Sequence, residues 1–213
     1  MKCALAFCVL LASAVAADAA TITYTSSADF FAALGATATT TETYEGLPAN
    51  STIAAGDTVN GITYVSFPSG TSGRIDADFN AIGDQSLALT GSQQFFFPGQ
   101  SINTSFAPTT AIGIFFNVSL STPNSLFIQT PVGRAGNSAA YDIGSNLYFV
   151  GLISDTPFSS ATIGSVNAAA SGYNLDNLTL APAATPVPEP ASMLLLGSGL
   201  VALRMRARRS RPL

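Results

Sequence analysis

The feature that most limits the fold is a close succession of short β-prone segments with almost no helical pattern between them. They fall at residues 21–25, 39–44, 59–67, 86–90, 93–97, 101–106, 111–120, 126–130, 139–143, 147–154, 158–166 and 173–180, with Gly, Pro, Asn or Asp between most of them. Residues 101–106 alternate, with Ile102, Thr104 and Phe106 on one side, as a half-buried strand requires. Residues 111–120 form a longer apolar run, suited to a strand covered on both faces. A single helix-like stretch stands out, 27–34, with a Ser cap, apolar residues at 30, 31 and 34, and Gly35 as its stop. No strand–helix–strand alternation follows. The expected fold is all-β, an antiparallel two-sheet sandwich of jelly-roll type with one short N-terminal helix.

The two ends differ from this body. Residues 1–19 carry Lys2, an apolar run over 4–15 and the small-x-small site Ala17-Asp18-Ala19, the pattern of a secretory signal peptide cut before about Ala20. Sec machinery and signal peptidase are the partners this implies. Both cysteines, Cys3 and Cys8, leave with that segment, so the mature chain has no disulfide. The β-domain is assigned to 20–181 and a Pro-rich linker to 182–190. The remainder, 191–213, is read as a short membrane helix with an Arg-rich cytoplasmic end. Its apolar part, 191–203, has 13 residues, about 20 Å of helix against roughly 30 Å of hydrocarbon. Arg204, Arg206, Arg208, Arg209 and Arg211 follow and act as the membrane stop, because clustered Arg stays on the cytoplasmic side.

This tail resembles the PEP-CTERM sorting signal of Gram-negative bacteria. Val187, Pro188, Glu189 and Pro190 stand at the motif, an apolar helix follows, and the arginines close it. The resemblance implies an exosortase as partner, cutting near the motif in species that export polysaccharide. The alternative is an ordinary, permanent inner-membrane anchor behind a Pro-rich linker. The body resembles the exported domains found upstream of such tails, through Tyr44-Glu45-Gly46-Leu47-Pro48-Ala49, the 149–158 segment and Gly172-Tyr173-Asn174-Leu175-Asp176-Asn177-Leu178. Those domains mostly lack an assigned activity. The implied setting is export, with the inner membrane crossed in transit and the periplasm, cell surface or extracellular matrix as destination.

Composition removes most chemistry. The chain has no histidine, and its only lysine is Lys2, so Ser-His-Asp, Cys-His and Schiff-base mechanisms are closed to the mature protein, as are His- or Cys-ligated zinc sites. Between residues 21 and 186, two bases (Arg74 and Arg134) stand against ten acids, which leaves −8. Such a body is repelled by phosphate, so nucleic acid is excluded as a partner. Carboxylates remain. Asp76, Asp78 and Asp84, with Asn80, have a spacing that can present oxygens to calcium, or they form a solvated loop paired with Arg74. Glu45 and Asp176, with Asn177, resemble the acids that hold a structural calcium in jelly-roll carbohydrate-binding modules. Turn-capping is their plainer role. Calcium is the one cofactor these residues suit. Phe95-Phe96-Phe97 reads as core packing for at least one ring, since adjacent strand residues face opposite sides. The expected function is that of a non-catalytic exported envelope or matrix protein, associated with extracellular polysaccharide. The alternative is a glycan-active enzyme built on a carboxylate pair.

Overall fold

A computed structural model describes residues 20–78, 82–90, 96–119, 121–144, 146–166 and 172–183. The signal segment, the linker from residue 184 with its motif and the 191–213 tail lie outside these residues; Pro182, assigned to the linker, closes the last strand. Among the described residues no helix is long and apolar enough to cross a membrane.

The described residues form twelve strands and one helix, in chain order β1 (Thr21–Tyr24), α1 (Ser27–Leu34), β2 (Thr40–Glu42), β3 (Thr52–Ile53), β4 (Thr58–Val59), β5 (Ile62–Ser66), β6 (Gly73–Asp76), β7 (Ser86–Leu89), β8 (Ser101–Val118), β9 (Leu126–Thr130), β10 (Gly133–Gly136), β11 (Leu147–Ser165) and β12 (Tyr173–Pro182). The all-β class, the antiparallel pairing and the short N-terminal helix are as the sequence predicts. The separation into two sheets is not. Backbone hydrogen bonds join all twelve strands into one sheet, ordered β10-β9-β11-β8-β12-β7-β6-β3, with β1 on β11, β2 on β12, β5 on β8 and β4 on β5.

The reason lies in β8 and β11. Segments read as four separate strands are two long ones, of 18 and 19 residues. Pro108 and Pro157 look like breaks in the sequence, yet each sits within its strand. The β8–β11 register shifts between Ile153 and Phe158 and again between Phe158 and Ser160, so Pro157 falls where the ladder is already interrupted and costs no regular hydrogen bond. Each long strand exchanges its other neighbour across this corner. In β11, residues 151–154 pair with β1 and residues 162–165 with β9. In β8, residues 103–105 pair with β5, and the stretch beyond Thr109 pairs with β12.

The corner divides the sheet into two halves, the first built on 111–118 of β8 and 147–154 of β11 and the second on 101–106 of β8 and 158–165 of β11, and the halves share one apolar core. It takes Ile62, Tyr64, Ile102, Ile128 and Ile163 from the second half, and Ile112, Phe116, Val150, Leu152 and Leu175 from the first. Ile102, Thr104 and Phe106 are buried while Asn103 and Ala107 are exposed, which is the predicted alternation. Phe96 joins the core, stacked on Tyr173 at 5.2 Å, whereas Phe97 is partly exposed and Phe95 lies outside the described residues.

A second cluster covers the outer face of the first half, where Phe30 and Leu34 of α1 meet Ala111, Phe115, Leu147 and Phe149. The helix is capped by Ser26, one residue earlier than expected, whose Oγ accepts from Asp29 N. Its anchor, Phe30, rests on a paired Gly113 and Gly151. A Cβ at Gly151 would lie 2.8 Å from the Phe30 ring and 2.7 Å from Phe149, and one at Gly113 would lie 3.0 Å from Phe30. Any side chain there overpacks the socket, at about 1–3 kcal/mol. The β4–β5 hairpin turns at Asn60-Gly61, both with positive φ (47° and 80°), which gives the twist that a two-residue hairpin needs.

Candidate functional site

The two acidic groupings come together at one place, the stretch between β6 and β7, of which residues 77–78 and 82–85 are described. Asp76 ends β6, fully buried, where the sequence suggests a solvated loop. Its Oδ1 accepts from Asp78 N at 3.0 Å and from Arg74 Nη2 at 3.3 Å, and its Oδ2 accepts from Asn174 Nδ2 at 3.1 Å. Arg74 also lies 4.0 Å from Asp78. The predicted pairing of Arg74 with these acids is therefore present, but half of it is interior. Asn80 lies outside the described residues.

Glu45 and Asp176 hold residues 82–85. Asp176 Oδ2 accepts from Ile82 N at 2.8 Å, and Glu45 Oε1 accepts from both Asp84 N and Gln85 N at 2.8 Å. Gly83 passes so close that a Cβ there would lie 2.5 Å from Glu45 Oε1, and its φ of +83° suits glycine as well. The strand that brings Glu45 to Asp176 is β2, which pairs with β12 in the register Glu42 to Leu178. The N-terminal β1 lies on β11 instead.

Asn177 shapes this end of β12. Its φ is 49°, and the β8 register shifts between Asp176 and Thr179, so it forms a bulge in a conformation that Asn tolerates. Asn177 N donates to Asp176 Oδ1 at 2.6 Å. Its own Oδ1 is buried and accepts no hydrogen bond. Asp176 and Glu45 thus hold backbone amides only two residues apart, at Ile82 and Asp84, and Asn177 follows Asp176 in β12. Among the described residues no three acidic side chains are grouped to hold a metal ion.

The sequence reading misses a third carboxylate here, Glu42. It is buried, with Oε1 accepting from Tyr44 N and Oε2 from Asn60 Nδ2, both at 2.5 Å. These bonds fix Tyr44 at a φ of 62°, unusual for a bulky residue, and seat its ring in the core with its hydroxyl accepting from Tyr64 at 3.1 Å. A Glu after two β-branched residues gives no hint of burial. Only the pairing of β2 with β12 encloses it.

Burial raises the Asp176 carboxyl to about 7; its two amide donors oppose the shift, while Glu45 and Glu42 add to it. Burial also pushes the Tyr44 hydroxyl well up, with Tyr64, Glu42 and Asp176 reinforcing it. A carboxyl near 7 matches the needs of a general acid or base. Asp176, however, is fully buried and lines neither of two surface clefts, the one beside Asn103 and Thr162 or the one beside Phe106 and Leu180.

With this geometry in view, the comparisons with known proteins locate the recognisable signal in the tail. Residues 186–209 match the PEP-CTERM protein-sorting motif. The chain carries the C-terminal sorting tail of exosortase substrates, an address for export to the cell envelope. No curated protein matches the chain. Among solved structures, it is similar to the catalytic unit of a thermostable GH87 alpha-1,3-glucanase from Streptomyces thermodiastaticus strain HF3-3, at 12% identity and a TM-score of 0.36 over 62% of this chain and 28% of that one. A GH87 alpha-1,3-glucanase catalytic domain in complex with nigerose gives 15% and 0.33, over 81% and 30%. The CBM22-1 xylan-binding domain from Paenibacillus barcinonensis Xyn10C gives 16% and 0.22, over 64% and 98%. The chain spans less than a third of the glucanase units. Likenesses this remote define neither its fold nor its chemistry.

The raised Asp176 carboxyl makes a specific prediction. In the unfolded chain it ionises near 3.8, in the folded chain near 7. Between those values the unfolded state releases a proton that the folded state keeps, so this group's contribution to stability falls as pH rises and levels off above 7. Asp176→Asn should therefore gain on the wild type by about 1 kcal/mol per pH unit from pH 4 to 7. Urea unfolding of both proteins across that range checks it. A difference that does not change with pH contradicts it.

Proposed function

We propose that this chain is a non-catalytic exported protein of the cell envelope or extracellular matrix, associated with polysaccharide and released from the membrane by exosortase. The observation that carries the reading is the sorting motif over residues 186–209. In the proposed route, residues 1–19 direct Sec-dependent export and are removed by signal peptidase. The apolar segment after Pro190 then halts transfer, with Arg204, Arg206, Arg208 and Arg209 on the cytoplasmic side. Thirteen apolar residues make a marginal span, which suits a segment held briefly and then cut away.

The non-catalytic part of the reading is supported by how the carboxylates are used. Asp76, Asp176 and Glu45 each accept a backbone N–H, from Asp78, Ile82 and Asp84 in turn, so their lone pairs serve the fold. With no histidine in the chain, a hydrolase would need a solvent-facing carboxylate pair.

Mass spectrometry of the protein from its native host tests the route. The expected mature species begins near Ala20 and ends upstream of Arg204. A mature envelope or secreted pool still ending at Leu213 contradicts processing and favours the permanent anchor.

We also propose that the clamp takes calcium, held by Glu45, Asp176 and Asn177. The favouring observation is the buried, unpartnered Oδ1 of Asn177, the residue that follows Asp176 in β12. A bound cation would relieve the repulsion between Glu45 and Asp176 and tie β2 to the bulge of β12. Binding only to the folded state raises the melting temperature with ligand concentration. Melts with calcium and with chelator should differ for the wild type and coincide for Asp176→Ala. Equal melting temperatures for the wild type remove the site.

A further inference from the structure

We infer that the outer face of the second half is a binding groove for a neutral glycan chain; this rests on the reading of the protein as polysaccharide-associated. The groove is a cleft of about 370 Å³, floored by β8 and β11 and walled by β5 and the β9–β10 turn. That is the lower part of the range for small-ligand sites.

A row of polar side chains crosses five adjacent strands here. Ser66, Asn103, Thr162, Gln129 and Arg134 are successive register partners on β5, β8, β11, β9 and β10. They face outward because their neighbours Ile102, Ile128, Ala135 and Ile163 point into the core. The row is ordered by its own hydrogen bonds. Asn103 Nδ2 donates to Ser66 Oγ at 2.8 Å, Thr162 Oγ1 donates to Asn103 Oδ1 at 2.6 Å, and Gln129 Nε2 donates to the Thr130 and Gly133 carbonyls. Ser105 and Ser160, opposite each other on β8 and β11, continue the polar floor.

Charge selects the ligand. The body carries ten acids, yet β5, β9, β10, the 101–110 part of β8 and the 158–165 part of β11 contain none. The one ionised group is Arg134, whose guanidinium lies 4.2 Å from the centre of the Phe127 ring. Amides and hydroxyls that both donate and accept match the adjacent hydroxyls of a sugar, which are also donors and acceptors. An anionic polymer would meet the repulsion of the whole −8 body, with a single Arg to offset it. A protein partner would call for aromatic or aliphatic anchors at the centre, where this groove has Ser and Thr. The apolar elements lie at the margins, as exposed Val65 on one wall and the Phe127–Arg134 stack beyond Gln129.

The test uses the mature protein in affinity electrophoresis and calorimetry. The probes are exopolysaccharide purified from the producing organism, dextran and laminarin as neutral glucans, and polygalacturonate as an anion. Gln129→Ala removes one exposed amide, and Ser105→Glu places a carboxylate in the acid-free floor. Thr23→Ala on β1, outside the lining of the cleft, serves as control, and melting curves confirm that each variant folds. The expected result is binding to a neutral glycan, about tenfold weaker for Gln129→Ala, weaker still for Ser105→Glu and unchanged for Thr23→Ala. Glycan binding that neither groove variant alters overturns the site and leaves the polysaccharide association standing. Failure of the wild type to bind any neutral probe overturns both. Preference for polygalacturonate, or a matrix protein lost on Ser105→Glu without glycan binding, overturns the assignment of ligand class.

Discussion

The antiparallel pairing of β8 with β11, interrupted at a bulged corner and resumed beyond it, is the constraint on which the rest of this protein depends. Before the corner in β11, residues 147–153 pair with 117–111; after it, residues 160–164 pair with 105–101. Every other element is positioned by reference to these two strands. Strands β1 and β9 attach along β11, while β5 and β12 attach along β8. The paired glycines Gly113 and Gly151 give α1 its seat. Because both strands continue through the corner, the two halves cannot slide past each other without breaking their own ladders.

The two halves then use their polar groups in opposite ways. The first buries carboxylates and uses them as acceptors for backbone that the sheet cannot pair, at Tyr44, Asp78, Ile82 and Asp84. A buried acid without such donors would be costly; here the donors are supplied, and Asp176 meets the remaining cost by holding its proton to about pH 7. The second half keeps its outer face free of acids and lines it with amides and hydroxyls. An exported β-domain with few charges therefore has one face given to stability and another open to solvent chemistry, while its address sits in the separate tail over residues 186–209.

Much of this was legible in the residues, for physical reasons that can be named. Alternation at Ile102, Thr104 and Phe106, the apolar stretch around Ile114 and the spacing of Phe30 and Leu34 in α1 all report burial directly. What escaped was short or depended on distant partners. Strands β3, β6 and β10 have two to four residues, too few to show a period. Residues 139–143 have β-prone residues but form only one isolated bridge, Ile143 with Leu147. Pro108 and Pro157 suggested breaks because a sequence cannot show that a bulge already frees the hydrogen bond a proline lacks. Glu45 and Asp176 could be singled out as acids in the residues, but what brings them to one place is the pairing of β2 with β12, while the first strand lies on β11. The burial of Glu42 and Asp76 was not legible, since nothing local distinguishes them from solvated acids.

Native-state hydrogen exchange tests the shared β8–β11 ribbon most directly. If the two strands bind the halves into one unit, amides of 102–106 and 112–116 in β8, and of 148–152 and 161–164 in β11, should open only with global unfolding and share one free energy. Denaturant should then expose both sets together. Exchange of the 101–106 and 160–164 amides at a distinctly lower free energy, with 111–117 and 147–153 still protected, would show two separately folding sheets and contradict the account.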